Sequence, residues 1–158
     1  MVLAAQQAPR RAPGFCLIDA QGQWRDLADY RGKPVIIEFM QTKCPHCLAF
    51  IPVLEKARKK YGDRIAVLAI VLPPDSPATM TEYVASHGIP YPVLLDQGQV
   101  AASYVRASRL SFPTIYLVDA EGMLFDHFTY GPMTQDIFEG DGLIHQLERL
   151  MATGSKRK

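Results

Sequence analysis

Runs of apolar and polar positions along this chain switch between a period of two and a period near 3.6, and the switches mark its elements. Phe15 to Asp19 is a short strand candidate, and Gln21-Gly22 is a turn into Gln23 to Arg25. Asp26-Leu27-Ala28-Asp29-Tyr30 reads as one helical turn closed by Gly32. Val35 to Met40 is β-branched and apolar, as a strand buried on both faces should be, with one acid, Glu38, inside it. From about Cys44 to Tyr61, positions Cys47, Phe50, Ile51, Leu54 and Ala57 follow helical spacing. Lys56, Arg58, Lys59 and Lys60 crowd the last turns, where cations suit the helix dipole, and Gly62 ends the helix. Pro52 lies inside it and is expected to kink it.

Ile65 to Leu72 is a second buried strand, stopped by Pro73 and Pro74. Thr79 to His87 reads as helix, Val93 to Leu95 as a short strand and Gln99 to Val105 as a short helix. Thr114 to Val118 and Met123 to Tyr130 alternate around the hairpin loop Asp119-Ala120-Glu121-Gly122, and a last helix covers Leu143 to Met151. Residues 1–12 read as a flexible lead-in, 13–151 as one domain and 152–158 as a basic tail. This order predicts an α/β fold: a central mixed sheet covered by helices on both faces, with an antiparallel hairpin ending an otherwise parallel sheet.

A chain of 158 residues with a formal net charge of +1 fits one soluble domain with a real core. Its balance gives no electrostatic reason to expect nucleic acid or an anionic membrane as partner. Lys156-Arg157-Lys158 reads as a frayed tail. No apolar run is long enough to span a membrane, and a monomer is expected. Met1 to Arg10 lacks a charged start followed by an apolar core. Two compartments fit: the cytosol, or an extracytoplasmic space reached with an export segment that is not in this chain.

The chemistry concentrates in Cys44-Pro45-His46-Cys47, between a strand and a helix. Two cysteines so spaced can close a disulfide or hold a metal. Only the thiolate attacks, and a helix N-terminus, Lys43 and His46 all favour it; such sites lower a cysteine pKa from about 8.5 to roughly 3.5–7.5. Cys47, one turn into the helix on its apolar side, is expected to be the more buried thiol. That asymmetry suits a two-step exchange in which Cys44 meets the partner and Cys47 resolves the mixed disulfide. The metal reading needs about four ligands. Cys16, His87, His127 and His145 are the other candidates, and none is spaced as a second half-site. Neither metal nor cofactor is therefore expected.

Glu38 is the second feature. A buried, unpaired carboxylate costs several kcal/mol, so its pKa should rise, and it could carry the proton of the more buried thiol. The alternative is an edge strand with Glu38 in water; its uniformly apolar neighbours argue against that. Phe112-Pro113-Thr114 is the third feature. The frequency of cis X–Pro bonds, about 5–6%, reads it as trans. Cys16 reads as a small strand hydrophobe, Trp24 and Tyr30 as packing residues, and His87, His127 and His145 as solvated or structural.

These residues resemble the thioredoxin superfamily and, within it, the TlpA/ResA-like thiol–disulfide oxidoreductases. The likeness runs from Ala12-Pro13-Gly14-Phe15 to Leu150 and includes Asp26-Leu27, Arg31-Gly32-Lys33-Pro34, the cysteine motif, Tyr91-Pro92-Val93-Leu94-Leu95-Asp96 and Phe112-Pro113-Thr114. It implies a three-layer thioredoxin-like fold with Pro73 to Val105 as the subgroup's central insertion. It implies that Phe112–Pro113 is cis, against the base rate, with its loop beside Cys44. Phe112 and Pro113, with Pro45, would then hold an extended substrate segment, and Glu38 would be the superfamily's buried acid. Implied partners are protein thiols and disulfides, among them apocytochrome c or a membrane electron donor, outside the cytoplasm. The Pro-His dipeptide is that of strongly oxidising DsbA-type proteins. Lys43 stands where tryptophan is usual, Phe50 replaces an acid some members carry, and Phe112 is bulky for its place; these departures bear on partner identity. A peroxiredoxin-like peroxidase would need Pro-x-x-x-Thr-x-x-Cys, but Gln41 stands three before Cys44. A copper or other metal-binding module using the CxxC is the remaining alternative.

Overall fold

Every residue of Val35–Met40 is buried, and this strand, β3, is the centre of the fold. The computed structural model of the chain describes residues 9–155. A two-stranded hairpin, β1 (Cys16–Ile18) and β2 (Trp24–Asp26), precedes a five-stranded sheet. That sheet adds β4 (Ala66–Val71), β5 (Val93–Leu95), β6 (Thr114–Val118) and β7 (Leu124–Thr129) to β3, in the order β5-β4-β3-β6-β7. β3 pairs parallel with β4 and antiparallel with β6, so the sheet is mixed as expected. The helices are α1 (Pro45–Tyr61), α2 (Pro77–His87), α3 (Gln99–Val105), α4 (Gln135–Glu139) and α5 (Gly142–Ser155).

Strand alternation divides the core in two. Ile36 and Met40 of β3 pack with Cys47, Phe50 and Leu54 of α1 and Leu143, Leu147 and Leu150 of α5 on one face. Ile37 and Phe39 pack with Tyr104 of α3, Leu27 and Phe15 on the other. A sheet apolar on both faces must be covered on both, and this is why the strands read as continuous apolar runs. The segment Pro73 to Val105 forms α2, β5 and α3, and places β5 at the edge beside β4.

Local chemistry sets the boundaries. Asp26 caps the 3-10 turn Leu27–Tyr30 by accepting from Ala28 N–H at 2.8 Å. Ser76 and Thr79 form a reciprocal capping box, so α2 starts at Pro77, ahead of the expected Thr79. Asp19 is buried at the hairpin turn; burial works to raise its pKa, but hydrogen bonds from Gln23 N–H, the Arg25 guanidinium and Gln21 N–H outweigh it and hold the carboxyl low.

Several expectations need correction. Residues 1–8 of the lead-in lie outside the described residues, but Arg10 to Ala12 are held in place. Arg11 bridges Met123, Ala12 N–H donates to Gly122 O, and the Arg10 guanidinium donates to the Ser103 and Tyr104 carbonyls. Helix α5 runs on to Ser155, so only residues 156–158 of the basic tail lie outside the described residues. Trp24 is 69% exposed and does not pack as expected; Tyr30 does, against the second cluster. Cys16 is in β1 but exposed. Helix α4, at five residues, is too short to show a period in the sequence.

Candidate active site

Cys44 is the N-cap of α1, with extended backbone (φ −87°, ψ 113°), and Pro45 occupies the first helical turn, where a missing N–H costs nothing. The Cys44 Sγ accepts from Cys47 N–H at 3.1 Å. Cys44 and Cys47 are joined as a disulfide with their Cα atoms 5.2 Å apart. Cys44 is half-buried and Cys47 only 1% exposed, so one sulfur faces the rim and the other the core. Lys43, Pro45 and His46 are exposed around them.

Glu38 pairs with Ala69 on one side and Ile115 on the other, so its strand is central and the edge alternative is excluded. By alternation it points to the face of Ile36 and Met40, the face that holds Cys47. It is 1% exposed, and its Oε1 is a buried atom with no hydrogen-bond partner. Burial alone pushes its pKa from 4.5 up to about 8. Tyr83 of α2 and Tyr91 lie within its field: burial first, then the Glu38 charge, holds both phenols well above their usual range. The sequence reading gives neither tyrosine a role, since nothing local ties α2 to β3.

Phe112–Pro113 is cis, as the resemblance implies and against the base rate; Pro73–Pro74 is cis as well. Thr114 pairs with Phe39, which places buried Pro113 level with Met40 at the end of β3 from which the chain leaves for Cys44. Phe112 is half-buried against both core clusters. Tyr130 N–H donates to Pro113 O at 3.0 Å. The Tyr130 ring stacks on His46, centroids 3.9 Å apart and planes 21° off parallel. Its hydroxyl donates to Glu139 at 2.8 Å. That bond, then burial and the Glu139 charge, holds the phenol above its usual range.

The loop entering Cys44 is clamped from the insertion. Asp75 accepts from Thr42 N–H at 2.8 Å and from the Thr42 hydroxyl, and Gln41 Nε2 donates to Pro73 O at 2.7 Å. Neither Asp75 nor Tyr130 stands out in the sequence. Asp75 precedes a recognisable capping box, and Tyr130 ends a strand whose register decides what it meets.

The structure thus brings Cys44, Cys47, His46, Pro45, Phe112 and Pro113 to the end of β3 at which α1 begins, with Glu38 inside β3 on the face that holds Cys47. Among the described residues no three His, Cys, Asp or Glu side chains are grouped to hold a metal. A cleft of about 510 Å³ lined by Arg10, Tyr104, Tyr116 and His127 opens elsewhere and includes none of these residues. A surface dithiol backed by a buried acid can trade its disulfide with an external sulfur and move one proton inward.

Comparison with known proteins agrees with the fold and the cysteine pair. The model of the AhpC/TSA family matches residues 9–126. The thioredoxin-like protein YneN of Bacillus subtilis is 30% identical over 135 residues, 84% of this chain and 77% of that protein. The thiol–disulfide oxidoreductase ResA of Bacillus subtilis is 28% identical over 143 residues, 90% of this chain and 75% of that protein. The crystal structure of the pneumococcal exposed lipoprotein thioredoxin Etrx1 from Streptococcus pneumoniae superposes with a TM-score of 0.73 at 28% identity, covering 87% of this chain and 100% of that one. No described helix here is long and apolar enough to cross a membrane. With its thioredoxin-like fold and CxxC pair, the chain belongs to the AhpC/TSA family, as a thiol–disulfide oxidoreductase.

Proposed function

We propose that this chain exchanges disulfides with protein substrates, with Cys44 as nucleophile and Cys47 as the resolving thiol. The observation that carries the reading is their asymmetry: Cys44 caps α1 at the rim while Cys47 is 1% exposed behind it. In the reduced protein the Cys44 thiolate accepts the Cys47 N–H at the positive end of the helix. It attacks one sulfur of a substrate disulfide, forms a mixed disulfide and releases the first substrate thiolate. Cys47 then gives its proton to Glu38, attacks Cys44 Sγ and releases the second thiolate, leaving the Cys44–Cys47 disulfide and two substrate thiols. The reverse sequence reduces the protein.

His46 tunes the thiolate from the helix start. Pro45, Phe112 and Pro113 hold an extended substrate segment in this reading, which is supported by Pro45 following Cys44 directly and by the register that sets Pro113 level with Met40, at the end of β3 that leads to Cys44. A site outside the cytoplasm is supported by the pneumococcal relative, described as an exposed lipoprotein. There the substrates would be proteins with exposed cysteine pairs, apocytochrome c among them, with a membrane electron donor as the reducing partner. Mixed-disulfide trapping tests the assignment. Cys47→Ser should accumulate a covalent complex with a model disulfide protein, and Cys44→Ser should trap none. Trapping by Cys44→Ser instead, or Cys44-dependent consumption of peroxide without thiol–disulfide exchange, would overturn it.

A further inference from the structure

We infer that Tyr130 is a positioning residue for the redox pair: held by Glu139, it fixes His46 beside the cysteines and so sets how oxidising the couple is. This rests on the thiol–disulfide reading above.

Three observations meet at Tyr130. Its backbone N–H is bonded to Pro113 O, which ties the residue to the end of the sheet where Cys44 lies. Its ring lies nearly parallel to His46 at 3.9 Å, the spacing of a tight stack. Its hydroxyl donates to the Glu139 carboxylate, and its edge packs on Phe138 at 5.7 Å. Backbone, hydroxyl and ring are therefore all held before His46 meets the ring.

An exposed histidine in the first turn of a helix would otherwise sample several rotamers, and its charge would be spread among them. The stack holds the imidazole to one. A cation over a tyrosine face is drawn to the ring's negative quadrupole. The hydroxyl's bond to a carboxylate pushes electron density back onto that ring. Both effects strengthen the stack that holds the imidazole where the Cys44 thiolate forms.

The consequence falls on the reduced state. Two glutathione thiols reduce the Cys44–Cys47 disulfide and leave as glutathione disulfide. They deliver two electrons and two protons; Cys44 remains a thiolate, Cys47 takes one proton and the other passes to solvent. Whatever stabilises the Cys44 thiolate makes the protein disulfide easier to reduce, hence a stronger oxidant.

The test is the equilibrium of the full chain with glutathione. Tyr130→Leu keeps an apolar contact for Phe138 but removes the ring face. It should shift the equilibrium about two- to fivefold toward the protein disulfide, the range expected of an exposed cation–π contact. Tyr130→Phe keeps the stack but loses Glu139, and should move it less, in the same direction. In a His46→Ala background, Tyr130→Leu should add nothing. An unmoved equilibrium in Tyr130→Leu, or a shift of equal size without His46, overturns the inference. If these arms fail while Cys47→Ser still traps a mixed disulfide, this inference falls alone. If Cys47→Ser traps none, the reading of the pair falls with it.

Discussion

Asp75 holds Thr42 through both its backbone N–H and its hydroxyl, although 33 residues separate them. Thr42 lies two residues before Cys44, and Asp75 also accepts from the Thr79 hydroxyl in the capping box of α2. The insertion is thereby coupled to the loop that leads into Cys44.

Asp75→Ala should loosen that loop. Hydrogen bonds to a charged acceptor contribute roughly 1.5–3 kcal/mol each, and Asp75 accepts from Thr42 N–H, the Thr42 hydroxyl and the Thr79 hydroxyl, so the denaturant midpoint should fall by an equivalent of roughly 4 kcal/mol or more. Exchange with a model disulfide should slow as well, because the helix start is less well placed. Stopped-flow exchange and urea unfolding on the same sample check both; an unchanged rate would detach the insertion from the chemistry.

Glu38 makes stability depend on pH in a defined direction. Its folded pKa, about 8, lies above its ordinary value of 4.5, so between these values the folded state binds more protons than the unfolded one. Its contribution is fully present below about pH 4.5 and is lost as pH rises through about 8. Glu38→Gln should flatten that limb of the stability profile, gaining a few kcal/mol relative to wild type above pH 8. It should also slow resolution of the mixed disulfide by roughly 10²-fold, the low end for a lost general base. Unfolding curves at several pH values and single-turnover kinetics measure the two effects separately. Equal pH slopes in variant and wild type would remove Glu38 from the pH response.

Gly142 allows the tight corner between α4 and α5. A Cβ there would lie 2.8–2.9 Å from the Asp136 carbonyl carbon and oxygen. Gly142→Ala must shift backbone, at a cost of about 1–3 kcal/mol. The melting temperature should drop, and the Cys44–Cys47 potential should stay where it is.

Cys16 is free and exposed, and the other two of the three cysteines are joined. Maleimide should therefore label one thiol per oxidised chain and three after reduction and denaturation. Cys16→Ser should leave the reduction potential unchanged. Three labelled thiols before reduction would mean that the pair does not close.

Much of the fold is legible along the chain because its signals are local. β3 and β5 begin and end where periodicity and flanking breakers place them, since a strand buried on two faces is apolar at nearly every position. Helix α1 shows its apolar stripe, its basic end and its stop at Gly62. The redox pair is legible for the same reason: two cysteines one turn apart at a strand-to-helix junction need no distant partner.

What failed to show depends on register and packing. Trp24 reads as a core residue by type, yet lies exposed on the outer strand of a hairpin. Tyr130 meets His46 only because β6 and β7 pair in one register, which carries it to the level of Pro113. The cis state of Phe112–Pro113 is a tertiary choice that the local preference opposes.

The sequence by itself determined the order of the strands and the longer helices, the thiol pair and the presence of one acid in an apolar strand, because each is written in residue type and spacing. Tertiary structure decided that Glu38 is central and unpaired, that Cys44 faces the rim while Cys47 faces the core, and that Asp75 and Tyr130 reach the site. Those outcomes are set by which strands lie side by side and which faces they cover, and long-range pairing leaves no periodic trace in the chain.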